Sequence, residues 1–91
     1  MRKIIDILKK ELDPDRIILF GSRAKERFHK NSDFDIAIDK EEVDIRKRRE
    51  ITEEIEKALG LYKFDLVFLR SVDNSFKNII LKTGRIIYER D

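Results

Sequence analysis

The sequence has 91 residues, of which 41% are hydrophobic and 44% are charged. That length predicts one domain, residues 1–91. Its 21 basic and 19 acidic residues leave a net charge of only +2, which argues against a general nucleic-acid-binding surface, since such a surface needs a strongly basic face. The absence of cysteine excludes disulfides and thiolate metal sites and favours a reducing cytoplasm, and no apolar run is long enough for a bilayer.

The first third of the chain predicts a helix, a strand and a second, short helix. Apolar residues recur at helical spacing over Arg2–Leu12, and the helix is expected to end before Pro14. The aliphatic run Arg16–Phe20 predicts a buried strand. Ser22 is a favourable N-cap for one or two helical turns over Arg23–Phe28.

The middle of the chain predicts a strand over Phe34–Ile38 and a long helix over Lys40–Leu59. Asp39 is the expected N-cap of this helix, with Glu42 in the capping-box position, and Gly60 is the expected C-terminal stop. The residues expected to face the core share one stripe of the helix: Ile45, Ile51 or Thr52, Ile55, Ala58 and Leu59. The basic run 46–49 on this helix is interpreted as a solvated face.

The last third predicts a strand over Lys63–Leu69, a helix over Ser75–Thr83 that stops at Gly84, and a final strand over Arg85–Tyr88. The last helix is expected to bury three apolar side chains: Phe76, Ile79 and Ile80. Because helices and strands alternate, the predicted fold class is α/β or α+β, with a small mixed sheet flanked by helices. The scarcity of thermolabile residues, with no Gln and one Met, favours a thermophilic source.

A predicted strand-to-helix turn at Gly21 and Ser22 has the features of an anion site. The first amides of a helix lack internal partners and lie at the positive end of the helix dipole, and phosphate is their usual ligand. Gly21 leaves room for a close approach to the backbone. Arg23 is either a further donor to phosphate or a solvated residue, and Ser32 is either a turn cap or a nucleotide contact.

Three aspartates form the second candidate cluster. Asp33 and Asp35 are two residues apart in or beside a strand, so their carboxylates are expected on the same side of it. Asp65 is the one charge in the apolar run 64–69, and it would join them if the two strands are neighbours. Such carboxylates are ligands for Mg²⁺, which also binds substrate phosphates. A phosphate site beside two metal ions is typical of two-metal phosphoryl transfer.

These residues resemble a known family. Gly21-Ser22, ten intervening residues and Asp33-Phe34-Asp35 match the signature of the DNA polymerase β-like nucleotidyltransferases, and the fuller string with Arg23-Ala24 and Ser32 is similar to the minimal nucleotidyltransferase (MNT) branch. The resemblance covers essentially the whole chain and implies the polymerase β-like fold. It implies that Asp33, Asp35 and Asp65 bind two Mg²⁺ ions, and that Asp65 also helps to deprotonate the acceptor. It implies that Gly21 and Ser22 bind the triphosphate.

The resemblance further implies transfer of a nucleoside monophosphate, with ATP as the expected donor, to an acceptor hydroxyl with release of pyrophosphate. Many stand-alone MNT proteins are antitoxins that form a hetero-oligomer with a HEPN-domain toxin and transfer AMP to it. Protein AMPylation of such a partner is therefore the leading hypothesis. An alternative is an inactive antitoxin that neutralises its partner by binding alone. A third, a nucleic-acid-modifying transferase, has little support from the balanced charge.

Overall fold

The computed structural model describes residues 2–20, 34–60 and 64–90. These residues form three helices and four strands: α1 (Arg2–Leu12), β1 (Arg16–Phe20), β2 (Phe34–Ile38), α2 (Ile45–Leu59), β3 (Phe64–Phe68), α3 (Asn74–Thr83) and β4 (Arg85–Glu89). The predicted short helix over Arg23–Phe28 lies outside the described residues. The predictions of α1 and β1 are confirmed at both ends, β2 is confirmed over its predicted span, and the mixed α/β class is confirmed.

The described strands form one mixed sheet in the order β3-β2-β1-β4. Strands β2 and β3 are parallel, whereas β1 is antiparallel to both β2 and β4. The connection from β2 to its parallel neighbour contains α2, and the connection from β3 to β4 contains α3. Right-handed crossovers that run in opposite directions along a sheet place their helices on opposite faces. Helices α2 and α3 accordingly pack on opposite faces of this sheet.

The core has one part on each face of the sheet. On the first face, α1 and α2 contribute Ile4, Leu8, Ile51 and Ile55, which pack against alternate residues of the strands. On the second face, Ile80 of α3 packs with Ile18, Ala37 and Leu69. Because successive residues of a strand point to opposite faces, the buried runs of β1 and β2 supply both parts of the core. Among the described residues, no helix has both the length and the apolar character needed to cross a membrane.

The predicted start of α2 at Lys40 was wrong, because the helix begins at Ile45. Asp44 is its N-cap, and the Asp44 carboxylate accepts a hydrogen bond of 2.8 Å from the backbone N–H of Lys47. The preceding segment is held elsewhere: the backbone N–H of Glu42 donates to the Ser71 hydroxyl at 2.9 Å. Of the predicted inward stripe, Ile51 and Ile55 are buried and Thr52 and Leu59 half-buried, but Ile45 and Ala58 are exposed. Gly60 ends the helix as predicted.

Asp39 is part of an ion-pair network at the end of the sheet and is not a helix cap, which corrects its predicted role. Its carboxylate accepts hydrogen bonds from Arg16 and Arg70 at 2.9–3.0 Å. Arg70 also pairs with Asp15, which in turn pairs with Arg90. The network therefore connects the start of β1, the end of β2, the turn after β3 and the residue after β4.

The last helix also differs from its prediction. It begins at Asn74, and its N-cap Asp73 accepts a hydrogen bond of 2.8 Å from the backbone N–H of Phe76. Only one of the three side chains predicted to be buried is buried, namely Ile80; Phe76 and Ile79 are exposed. Strand β3 ends at Phe68, one residue earlier than predicted, and β4 extends one residue further than predicted, to Glu89.

Candidate functional site

Asp35 and Asp65 lie side by side in the two parallel strands. They are direct Cα partners in the register of β2 and β3. Asp35 and Ala37 are two residues apart in β2 and point to the same face, as do Asp65 and Val67 in β3. Ala37 and Val67 belong to the part of the core under α3. Both carboxylates therefore belong to the α3 face of the sheet. The condition on which the predicted cluster depended, that the two acidic strands are neighbours, is met for this pair.

The local sequence explains why these two acids can occupy a hydrophobic sheet. Their neighbours Ile36 and Leu66 point to the opposite face and are buried there against α1 and α2. Asp35 and Asp65 themselves lie at the amino-terminal ends of short strands, where Asp35 is half-buried and Asp65 is exposed. An exposed carboxylate such as that of Asp65 stays hydrated, so the sheet avoids the large cost of burying its charge.

The end of β1 lies next to the same two residues. Phe20, the last residue of β1, is the direct Cα partner of Asp35 in the antiparallel register. The chain therefore leaves β1 beside Asp35 and enters β2 one residue before it. The predicted phosphate-binding and metal-binding residues between these points lie outside the described residues: Gly21, Ser22, Arg23, Ser32 and Asp33. Their roles remain predictions.

The described part of the site contributes two carboxylates and no complete metal site. Among residues 2–20, 34–60 and 64–90, no group of three or more histidine, aspartate or glutamate side chains is placed to hold a metal ion. Paired Cα atoms of neighbouring strands are about 4.8 Å apart. Two carboxylates on one face at that spacing repel each other, and a divalent cation between them would relieve the repulsion.

Arg48 makes contacts that the sequence did not reveal. Its guanidinium donates a 2.6 Å hydrogen bond to the backbone carbonyl of Leu66, pairs with Glu42 at 3.1 Å, and lies over the Phe68 ring at 5.5 Å. These residues line a cleft of about 120 Å³ with Ser71. Arg48 thus occupies part of the outer edge of β3, whereas the sequence suggested only a solvated basic face. No sequence motif signals this role, because it depends on the packing of α2 against β3.

The family to which the chain belongs follows from its fold and from its similarity to known proteins. Residues 2–91 match the family model described as polymerase beta, nucleotidyltransferase. The chain belongs to this nucleotidyltransferase family. The comparison with curated proteins produced no match.

Within this family, the solved structures that resemble the chain include toxin–antitoxin complexes. A chain of a toxin–antitoxin crystallised with AMP-PNP is 30% identical, with a TM-score of 0.88, and the match covers 99% of this chain and 73% of that one. A chain of the MntA–HepT toxin–antitoxin is 28% identical, with a TM-score of 0.77 and coverages of 98% and 69%. A chain from a complex of tri-AMPylated Shewanella oneidensis HEPN toxin with MNT antitoxin is 27% identical, with the same TM-score and coverages.

Proposed function

We propose that this protein transfers AMP from ATP to a hydroxyl group of a HEPN-domain toxin and thereby acts as its antitoxin. The observation that carries the proposal is the pairing of Asp35 with Asp65 on one face of a polymerase β-type sheet. The choice of nucleotide and partner is supported by the relatives, one of which was crystallised with AMP-PNP and another with a tri-AMPylated HEPN toxin. The match to each extends over 98% or more of this chain.

The two described carboxylates suit a hard divalent cation. Mg²⁺ prefers oxygen ligands and typically binds one or two carboxylates together with substrate phosphates. Asp35 and Asp65 are direct partners on one sheet face, and Asp65 is exposed, so cation and substrate have access to it. Together with Asp33, these residues would hold two Mg²⁺ ions. When bound, the ions would lower the pKa of the acceptor hydroxyl and stabilise charge on the leaving pyrophosphate.

The proposed reaction is an in-line displacement at the α-phosphorus of ATP. The acceptor oxygen forms a bond to that phosphorus, and the bond from the phosphorus to the oxygen bridging the α- and β-phosphates breaks. Pyrophosphate leaves with the electron pair of the broken bond, and the hydroxyl proton passes to Asp65 or to water. Gly21 and Ser22, with Arg23 and Ser32 as further contacts, would hold the triphosphate so that the leaving group points away from the acceptor.

The test is a transfer assay with the purified protein, its cognate HEPN protein, Mg²⁺ and ATP labelled at the α-phosphate. We expect Asp35→Asn, Asp65→Asn and the double variant Asp33→Asn/Asp35→Asn each to lower the rate of labelling by about 1,000-fold, since each removes a ligand whose charge stabilises the transition state. Asp6→Asn is the matched control, because Asp6 is exposed on α1, outside the sheet. Undiminished labelling by the double variant would refute the proposal.

The same reagents separate catalysis from simple binding. If AMP transfer neutralises the partner, then the toxic activity of the HEPN protein falls only when ATP is supplied, and mass spectrometry detects added AMP on it. If the chain instead neutralises its partner by covering it, then the Asp35→Asn variant protects as well as the wild type without ATP. That outcome would assign the protein as a binding antitoxin with the same fold.

A further inference from the structure

Helix α3 presents apolar side chains to solvent on the face of the sheet that carries Asp35 and Asp65. Only Ile80 of this helix is buried. Phe76 is 38% exposed and Ile79 is 59% exposed. Because residues three apart in a helix are neighbours on its surface, Phe76 and Ile79 form one continuous apolar strip, which we call the α3 ridge.

The α3 ridge begins beside the candidate site. The ring of Phe76 contacts the ring of Phe20 edge-on, with a centroid separation of 6.2 Å. Phe20 is in turn the direct strand partner of Asp35. Phe20 therefore connects Phe76 of the ridge with Asp35, the proposed metal ligand. A molecule bound to the ridge would lie next to Asp35.

Exposed apolar residues are concentrated on this side of the molecule. Among the described residues, five large hydrophobic side chains are exposed, and four of them belong to α3 or β4: Phe76, Ile79, Leu81 and Ile86. Ile86 is paired with Ile18, which is packed against Ile80, so Ile86 shares the α3 face. The fifth, Ile45, begins α2 on the opposite face. A small protein that leaves such residues grouped beside a reactive site has a surface suited to binding another molecule.

The charges on α3 indicate the kind of partner. The helix carries Lys77 and Lys82 and no acidic residue between Asn74 and Thr83, and neither lysine forms an ion pair with the described residues. Apolar side chains with lysines beside them are complementary to an apolar protein surface with an acidic rim. Among the described residues, α3 places these apolar side chains next to the strand that carries Asp35, through the contact between Phe76 and Phe20.

We propose that the α3 ridge is the docking surface for the protein that carries the acceptor hydroxyl. The partner surface would consist of an apolar patch with acidic residues around it, and the acceptor side chain would extend from that patch towards Asp35 and Asp65. This inference rests on the proposed function, because it assumes that the acceptor belongs to a protein. It adds the surface by which that protein is held during transfer.

The experiment compares two isoleucines that differ in position and resemble each other in exposure. Ile79→Asp places a charge on the α3 ridge, and Ile45→Asp places the same charge on α2, where Ile45 is 78% exposed. Both variants are expected to fold, since neither side chain belongs to the core, and circular dichroism and thermal melting check this. Calorimetry then measures the dissociation constant of each variant for the purified cognate HEPN protein and, separately, for AMP-PNP with Mg²⁺.

We expect Ile79→Asp to weaken binding of the HEPN protein about ten-fold or more, as for a charged substitution at an interface anchor, and Ile45→Asp to leave it within about two-fold of the wild type. AMP-PNP affinity should be the same in all three proteins. A further variant, Phe76→Ala, should weaken the HEPN complex as well.

Equal binding of the HEPN protein by the Ile79 and Ile45 variants would overturn the docking surface, as would failure of the wild type to bind that protein. A loss of AMP-PNP affinity in Ile79→Asp would assign the ridge to the nucleoside base instead. Sedimentation showing a wild-type dimer that Ile79→Asp dissociates would assign it to a second copy of this chain. Intact binding by the wild type without any AMP transfer would refute only the proposed function, and the two isoleucine variants would still decide the docking surface.

Discussion

Replacing Asp39 with asparagine tests whether the ion-pair network at the end of the sheet stabilises the fold. The Asp39 carboxylate accepts hydrogen bonds from Arg16 Nε at 3.0 Å, from Arg16 Nη2 at 2.9 Å and from Arg70 Nε at 3.0 Å. Its side chain is only 14% exposed. The asparagine side chain has nearly the same shape, so the substitution removes charge and one acceptor while leaving the packing unchanged.

The expected loss of unfolding free energy at pH 7 is about 2 kcal/mol. Hydrogen bonds to charged groups contribute about 1.5–3 kcal/mol when buried, and exposed ion pairs contribute much less. Asp39 is largely buried, but both arginines are partly exposed, so the sum for the three bonds falls well below three full contributions. In a domain of this size, 2 kcal/mol corresponds to a decrease in melting temperature of about 10 °C.

The pH dependence gives the sharper test. Burial opposes ionisation of Asp39, but the hydrogen bonds from Arg16 and Arg70 outweigh it, so the pKa of the Asp39 carboxyl is lowered in the folded protein. A lowered folded-state pKa stabilises the protein at pH values above the unfolded-state pKa, about 3.9. The wild type therefore keeps its full advantage over the asparagine variant at neutral pH. The advantage declines below about pH 4 and is lost once the pH falls through the folded-state pKa.

The measurement is urea denaturation followed by circular dichroism, for both proteins, at pH 7, 5, 4 and 3. Asp6→Asn serves as the control, because Asp6 is exposed and forms no ion pair with the described residues. Its substitution should change the unfolding free energy by less than about 0.5 kcal/mol at every pH. A loss below about 0.5 kcal/mol for Asp39→Asn at pH 7, or a loss that stays constant down to pH 3, would contradict the reasoning.

Substitutions at three further positions test local features by urea denaturation at pH 7. Gly84→Ala should lower the unfolding free energy by about 1–3 kcal/mol, because the added Cβ would lie 2.5 Å from Ile18 Cγ2 and 2.6 Å from a backbone oxygen; no loss would show that α3 shifts freely. Gly60→Ala should cost about 1 kcal/mol through its positive φ of 76° alone, since nothing lies within 4 Å of the new Cβ. Asp44→Ala should cost about 1 kcal/mol by removing the cap on Lys47, and Asp44→Ser should restore most of it.

The sequence predicted the elements whose signal is local. Helix α1 and strand β1 have clear periodicity and are bounded by Pro14 and by Gly21, and their ends were predicted correctly. The neighbouring positions of Asp35 and Asp65 followed from one condition, that their strands are adjacent, and the register meets it. That inference was possible because alternation in a strand and pairing in a sheet are both regular.

The start of α2 and the buried face of α3 were predicted wrongly for the same physical reason. Both are determined by contacts between residues that are far apart in the sequence. Asp39 and Asp44 are equally good caps by composition, and the choice between them is made by Arg16 and Arg70, which engage Asp39 from distant parts of the chain. Likewise, the periodicity of α3 does not reveal how much sheet lies beneath it. The helix is long enough to bury more than Ile80, but the described sheet covers only that side chain fully.

The register of β2 with β3 has a consequence for how such an enzyme diversifies. The separation of Asp35 from Asp65 is set by main-chain pairing, which is insensitive to the identity of surrounding side chains. Exposed residues elsewhere, including those of α3, can therefore be substituted without changing the separation of Asp35 from Asp65. Substitutions at exposed positions can therefore change which partner binds while the spacing of Asp35 and Asp65 stays the same.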